Sequence, residues 1–253
     1  MSVKNQFSKG NILTIDIGGT NVKACILNSN GKIVTDYVSK PTPKNARPSD
    51  IIDTIKDLCQ DLRLFEKISV GFPGYVRNGV VQTAPNLAEN QWTNIDLADR
   101  ISHIFGKPVR LINDADLQGL GIVKGKGLEI VFTLGTGFGT ALLFDGDLLP
   151  HFELAHLPIN KADDYDDFIG KKGLEKVGKA EWNKRLKYVI EIYKTVFNYD
   201  TLYIGGGNSA NIDFKLDHNI RIVSNQDGIK GGAKLWKAKE KFLVCTNFPK
   251  TKA

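Results

Sequence analysis

Cysteine is scarce in this 253-residue chain. Cys25, Cys59 and Cys245 are odd in number and far apart, and no CxxC occurs. That excludes a disulfide scaffold and a cysteine zinc knuckle, and it leads us to expect reduced thiols in the cytoplasm. Long apolar runs are also missing, so no membrane span is expected. The N-terminal MSVKNQFSKGN is polar and has no signal-peptide core. Acidic residues are in slight deficit, 28 against 34 Lys and Arg, for a net charge of +6. Such an excess is either a plain surface property or a fit to polyanions, nucleic acid or chained phosphates among them. What remains is ordinary for a globular protein, with 42% hydrophobic and 25% charged residues. A fibre and a disordered chain are therefore excluded.

Glycine is plentiful, at 25 residues, and it is clustered. From Asn11 the pattern reads strand (Ile12, Leu13, Ile15, Ile17), glycine turn, strand (Val22, Ala24, Ile26). Asn30-Gly31 predicts a hairpin into a strand over Lys32–Val38. Ser49 is the expected cap of a helix carrying Ile52, Ile55, Cys59 and Leu62. Strands at Ile68–Phe72 and Val109–Ile112 enclose a short helix around Leu97, Ile101 and Phe105. The second half repeats the order. Leu117–Val123 reads as a helix, then Glu129–Leu134 and Thr140–Phe144 as strands, with an Asp145-Gly146 hairpin. Trp182, Leu186, Val189, Tyr193 and Val196 mark a long amphipathic helix. Strands at Thr201–Ile204 and Ile220–Val223 and a final helix over Gly228–Trp236 complete the pattern. The expected fold is α/β, two similar halves around a cleft. The expected boundaries are 1–113, 114–236 and a peripheral basic tail, 237–253.

Three glycine clusters could hold phosphate. In Asp16-Ile17-Gly18-Gly19-Thr20-Asn21-Val22-Lys23, Gly18 and Gly19 let the backbone aim N–H groups at an anion. Thr20 adds a hydroxyl and Lys23 a charge, while Asp16 could hold hydrated Mg²⁺. Gly135-Thr136-Gly137 repeats this chemistry in the second half. Gly205-Gly206-Gly207 follows a strand and could open a helix toward a nucleotide or phosphate chain. Any one cluster alone is more simply a turn. Two equivalent ones in a duplicated fold favour phosphate. Neither GxGxxG before a helix nor GxxxxGK[ST] is present. Between the halves, Asn113-Asp114-Ala115-Asp116 ends a strand. Asp114 could act as a general base, or Asp114 and Asp116 could simply cap the next helix. The residues alone leave these readings near even. Glu153 and His156 taken alone read as surface residues, as a lone metal half-site or, most simply, as a satisfied structural histidine.

Together the segments IDIGGTNVK, GFPGYV, TAPN, LINDAD, FTLGTGFGT, ELAHLP and YIGGGNS resemble the ROK sugar kinases of the actin–hexokinase superfamily. The likeness runs from about Asn11 to Trp236, nearest the polyphosphate glucokinase branch. It implies a duplicated ribonuclease H-like fold of βββαβαβα halves and phosphoryl transfer to the 6-hydroxyl of glucose, with Mg²⁺. It implies Asp114 as the base and Asn113, Glu153 and His156 on the sugar, with Gly74 and Asn86 lining its pocket. Gly18, Gly19, Thr20, Lys23, Gly135, Thr136 and Gly137 would hold the transferred phosphate. Gly205–Gly207 would approach adenosine or the distal phosphate chain.

The family's usual zinc segment is missing, since residues 157–181 contain no cysteine, and no zinc is expected. A second sugar-binding Glu usually comes from that segment; Asp163, Asp164 and Asp166 are its candidates here. Ala155 stands where the family has Gly, which could narrow the pocket. The expected donor is inorganic polyphosphate, with ATP as the alternative or a second donor. A homodimer is the family habit. Only about ten residues precede the first strand, too few for a helix-turn-helix, so no nucleic-acid partner is expected. A non-catalytic sugar- or polyphosphate-binding protein is the other rival, and Asp114 with both turns argues against it.

Overall fold

The computed structural model describes residues 10–240 and 244–249, with the side chains of Glu89 and Asn225 left aside. The expectation for the polar N-terminus falls mostly on residues 1–9, outside the described residues. Two compact units form, Met1–Gly121 with Ile229–Ala253, and Ile122–Gly228.

Unit 1 holds β1 (Ile12–Ile17), β2 (Asn21–Leu27), β3 (Val38–Pro41), α1 (Pro48–Leu58) and β4 (Lys67–Phe72). A small three-stranded sheet follows, β5 (Val76–Arg77), β6 (Val80–Val81) and β7 (Ile95–Asp96). The unit continues through α2 (Leu97–Phe105), β8 (Val109–Asn113) and α3 (Asp114–Ile122). Unit 2 holds β9 (Leu128–Leu134), β10 (Phe138–Phe144), β11 (Asp147–Leu148), α4 (Tyr165–Ile169), α5 (Lys171–Phe197), β12 (Thr201–Gly205) and β13 (Ile220–Ile222). Two short helices, α6 (Asn225–Ile229) and α7 (Gly231–Leu235), close the pattern.

The duplication is visible in the sheets. Unit 1 runs β3-β2-β1-β4-β8 and unit 2 runs β11-β10-β9-β12-β13. In each, an antiparallel hairpin is extended by two parallel strands. In β1, Leu13, Ile15 and Ile17 are fully buried against Ile51 and Ile55 of α1 and Leu97 and Ile101 of α2. On the other face Ile12 packs with Ile229 and Ala233. Both faces are covered, so all six residues of the strand are buried, the polar Thr14 and Asp16 included.

The structure corrects several expectations. Lys32–Val38 is not a continuous strand. The chain does fold back at Asn30-Gly31, and Ile33 forms an antiparallel bridge with Leu27. Asn28 Oδ1 accepts the N–H groups of Asn30 and Lys32, and Thr35 Oγ1 takes the Ile26 N–H that a neighbouring strand would have used. Continuous pairing resumes at β3. Ser49 does not cap α1: Pro48 takes the first helical position, so the cap moves to Arg47, whose N–H donates to Asp50 Oδ2 at 2.9 Å. The long helix begins earlier than expected and is broken at Gly178, φ +76°. Val196 is off its buried stripe at 63% exposure, whereas Trp182, Leu186, Val189 and Tyr193 are buried. Gly228–Trp236 is two helices, not one.

The expected boundary at Asn113 and the peripheral tail are also corrected. The chain returns from unit 2 to the sheet of unit 1. Ser69 Oγ donates to the Gly232 carbonyl at 2.7 Å and accepts from Trp236 Nε1 at 2.9 Å. Arg110 donates to the carbonyls of Leu235 and Ala238, to Thr246 Oγ1 and to Glu240, and stacks on Trp236. Asn247 forms a bridge with Val109 of β8. This described part of the tail is therefore built into unit 1, because a buried guanidinium needs these acceptors.

Glu129, 1% exposed, anchors the loop that follows α3. It accepts N–H groups from Lys124, Gly125 and Lys126 and the Tyr203 hydroxyl, at 2.6–3.0 Å. Glu129→Leu strands four donors and should cost about 3 kcal/mol or more. Thermal unfolding followed by circular dichroism should show Tm lower by about 6 °C or more. An unchanged Tm would contradict this.

Candidate functional site

In unit 1 the parallel strands β1, β4 and β8 end side by side at Ile17, Phe72 and Asn113. The loops beyond such carboxyl ends are where α/β sheets bind ligands. The candidate residues of this unit lie in or just beyond those ends.

Asp16 sits one residue before the end of β1 and is 7% exposed. Its cross-strand partner is Lys23, and Lys23 Nζ is 3.8 Å from Asp16 Oδ2. Asp16 Oδ1 is buried and has no hydrogen-bond partner among the described residues. Burial raises the carboxyl above its ordinary range, and Lys23 only partly offsets this. A buried, uncommitted carboxylate oxygen is what a hydrated Mg²⁺ requires of a protein, which usually gives it one or two carboxylates. The residues therefore fit the metal.

The first glycine turn is held by three hydrogen bonds. Gly18 N–H donates to the Asn21 carbonyl at 2.9 Å. Thr42, just beyond β3, donates its hydroxyl to the Gly18 carbonyl at 2.6 Å and its N–H to the Thr20 carbonyl at 2.9 Å. Thr20 itself is exposed. The sequence reading missed Thr42, which is distant along the chain and carries no motif. Thr42→Val removes one of these three bonds and should lower Tm by a few degrees, since one such hydrogen bond is worth about 1 kcal/mol. An unchanged Tm would show that the turn holds without it.

Gly71 is the register partner of Asp16, and a Cβ on it would lie 3.1 Å from Asp114 Cα. One strand therefore separates the two carboxylates. Asp114 opens α3 and is half-buried; its Oδ1 accepts the Ala115 N–H at 2.8 Å. Neither Asp114 nor Asp116 occupies the capping position. Asn113 Oδ1 caps the helix by accepting N–H groups of Ala115 and Asp116, at 2.8 and 3.3 Å. Asp116 is buried rather than solvated. Asn113 Nδ2 donates to the Gly74 carbonyl at 3.1 Å. Gly74 is packed so tightly that a Cβ there would meet the Thr83 carbonyl at 2.1 Å. This brings GFPGYV, TAPN and LINDAD together. Asn86 is exposed, beyond the buried Ala84.

Unit 2 repeats the arrangement at the ends of β9 and β12. Gly135 N–H donates to the Gly137 carbonyl at 2.9 Å, and Lys171 N–H to the Thr136 carbonyl at 3.2 Å. Gly206 has φ +88°, and a Cβ there would meet the Leu134 carbonyl at 2.2 Å, so the third cluster lies against the second turn. Asn208 Nδ2 joins them by donating to the Gly135 carbonyl at 2.8 Å. Gly207–Asn211 forms a short 3-10 turn.

Glu153 and His156 flank the 3-10 turn Leu154–His156. Glu153 Oε1 lies 3.3 Å from His151 Nε2, an ion-pair contact rather than a hydrogen bond. His156 is exposed, with Nδ1 3.2 Å from Asp164 Oδ2. Ala155 is buried in the unit's core. The three candidate aspartates separate. Asp163 lies 3.7 Å from Lys176. Asp164 caps α4 through the Asp167 N–H and pairs with His156. Asp166 accepts the Phe138 N–H beside Gly137, and burial raises its carboxyl above the ordinary range. His151 sits in no spaced motif and carries no local signal, whereas Asn208 falls within YIGGGNS but the sequence reading passed over it.

Two like α/β units with glycine turns beyond their strand ends define a duplicated fold of the actin–hexokinase type. The chain belongs to the ROK family, whose profile matches residues 12–160. It is 30% identical over 229 residues to the protein named polyphosphate glucokinase from Mycobacterium tuberculosis, covering 84% of this chain and 82% of that one. Its structure is similar to that of the inorganic polyphosphate/ATP-glucomannokinase from Arthrobacter, at a TM-score of 0.80 and 30% identity over 89% of this chain and 98% of that one. The ROK family glucokinase from Streptomyces griseus shares the fold, at a TM-score of 0.72 and 19% identity over 89% and 99%.

Proposed function

We propose that this protein transfers a phosphoryl group to the 6-hydroxyl of glucose, with inorganic polyphosphate as donor and ATP as a second donor. The observation that carries the reading is the placement of two carboxylates at neighbouring strand ends of unit 1. Asp114 stands one strand from Asp16, and Asp16 leads into the first glycine turn. In this reading the Asp114 carboxylate takes the hydroxyl proton as that oxygen attacks phosphorus. Asn113 keeps the base in place through α3 and has a second Nδ2 hydrogen for a sugar hydroxyl. Asp16 would hold Mg²⁺, which supplies neutralising charge at the transferred group. Gly18, Gly19, Thr20 and Lys23 are the phosphate-binding candidates of unit 1, and Gly135, Thr136 and Gly137 those of unit 2. Glu153 and His156 of unit 2 are candidates for sugar hydroxyls, as are Gly74 and Asn86 of unit 1.

The donor reading has its own support. α5 starts beside Thr136 and exposes Lys171, Lys172, Lys176 and Lys179; the first three make long contacts of 3.7–3.9 Å with Glu175, Asp167 and Asp163, weak enough for a phosphate chain longer than a nucleotide's to displace. Gly205–Gly207 lies next to that turn and would meet the chain's distal part, or adenosine. We place the protein in the cytoplasm as a homodimer; no helix among the described residues is long and apolar enough to cross a membrane. A sedimentation mass of one chain would contradict the dimer.

The test of the donor is competition. With ATP and glucose held near their KM values, long-chain polyphosphate should suppress ADP formation while glucose 6-phosphate continues to accumulate. ADP formation indifferent to polyphosphate would leave a strictly ATP-dependent kinase.

A further inference from the structure

We propose that His151 is a positioning residue for Glu153, fixing the carboxylate that takes a hexose hydroxyl. The inference rests on the reading of Glu153 as a sugar ligand. The His151 side chain is only 4% exposed, and its Nε2 lies 3.3 Å from Glu153 Oε1. That oxygen is buried and accepts no hydrogen bond among the described residues. A carboxylate oxygen in this state is costly unless a positive group faces it. The imidazole is such a group when it carries both protons.

The local chain explains the arrangement. Leu149 N–H donates to the Leu142 carbonyl and Thr140 Oγ1 donates to the Phe152 carbonyl, so both ends of Leu149–Phe152 are tied to β10. His151 lies within this tied stretch. On the far side of Glu153, the 3-10 turn Leu154–His156 closes with His156 N–H donating to the Glu153 carbonyl at 3.1 Å. The backbone of Glu153 is thus held from both directions. Its long side chain still has rotamers to lose, and the buried ring selects one. The oxygen paired with the ring is then set in place, and the lone pairs that remain accept from the sugar. Arriving sugar therefore meets a carboxylate that is already oriented, and pays less to order it.

The test is steady-state kinetics on the full chain, at saturating donor, for His151→Leu, His151→Gln and Glu153→Gln. Loss of the ring should raise glucose KM about tenfold, with kcat within about threefold and donor KM unchanged. His151→Gln, whose amide nitrogen can reach the Nε2 position, should restore most of the affinity. Coupling between the His151→Leu and Glu153→Gln effects should appear in the double variant. A glucose KM unchanged by His151→Leu, while Glu153→Gln raises it, overturns the positioning role and leaves the sugar site intact. A glucose KM unchanged by Glu153→Gln overturns the sugar reading itself. If His151→Leu does not fold, His151→Gln and Glu153→Gln decide. A KM in His151→Gln as high as in Glu153→Gln, with Tm unchanged, counts against the proposal.

Discussion

Asp114→Asn should reduce kcat by about 10³-fold or more while glucose still binds. The substitution preserves size and keeps an oxygen at the start of α3 for the Ala115 N–H. The fold around it is carried by Asn113, whose amide caps the helix and reaches the Gly74 carbonyl. What disappears is the capacity to accept the hydroxyl proton as the new O–P bond forms. Glucose affinity, measured by calorimetry, should change little, because a base acting mainly in the transition state contributes little to ground-state binding. A variant with near-normal turnover would remove Asp114 from the chemistry and leave it a surface residue of the first helical turn.

Asp16→Asn should separate stability from function. Activity should fall by about 10³-fold, while Tm at neutral pH should rise. The reason lies in the burial of a carboxylate whose Oδ1 has no partner among the described residues and whose Oδ2 lies 3.8 Å from the Lys23 ammonium. Its pKa in the folded state is raised above the ordinary 3.8. The folded state therefore binds the proton more tightly than the unfolded chain does. That contribution favours folding at low pH and is lost as pH rises from about 4 through the folded-state pKa. At neutral pH the ionised group is a net cost, and Asn removes it. The wild type should show a steeper loss of Tm with rising pH than Asp16→Asn, and Mg²⁺ with phosphate should raise Tm only in the wild type. Equal Tm profiles would mean that this carboxylate is not strained by burial.

Much of this fold was readable from periodicity. The apolar alternation around Leu13, Ile15 and Ile17 gave β1, and the repeated order gave the duplication seen in the two sheets. The glycine clusters marked the ends of β1, β9 and β12 because backbone turns demand them there. Long-range partners were not readable. Thr42 reaches Gly18 across 24 positions, and Arg110 reaches Thr246 across 136. No local pattern signals either, since each depends on which strand ends lie side by side. Short elements such as β5, β6, β7 and α4 escaped because they are briefer than a period of helix or strand can show. The small residues near Asp114 misled in another way. Asp is a favoured cap, but here the preceding Asn113 ends β8 in the position where its amide meets the helix N–H groups.

The most direct test of the central claim is glucose 6-phosphate formation by the purified chain with Mg²⁺. Polyphosphate and ATP are supplied in parallel, and Asp114→Asn runs beside the wild type. The account predicts product from both donors in the wild type and about a thousandth or less of it in the variant. No glucose 6-phosphate from either donor, with glucose still bound, would contradict it and leave a protein that recognises sugar without phosphorylating it.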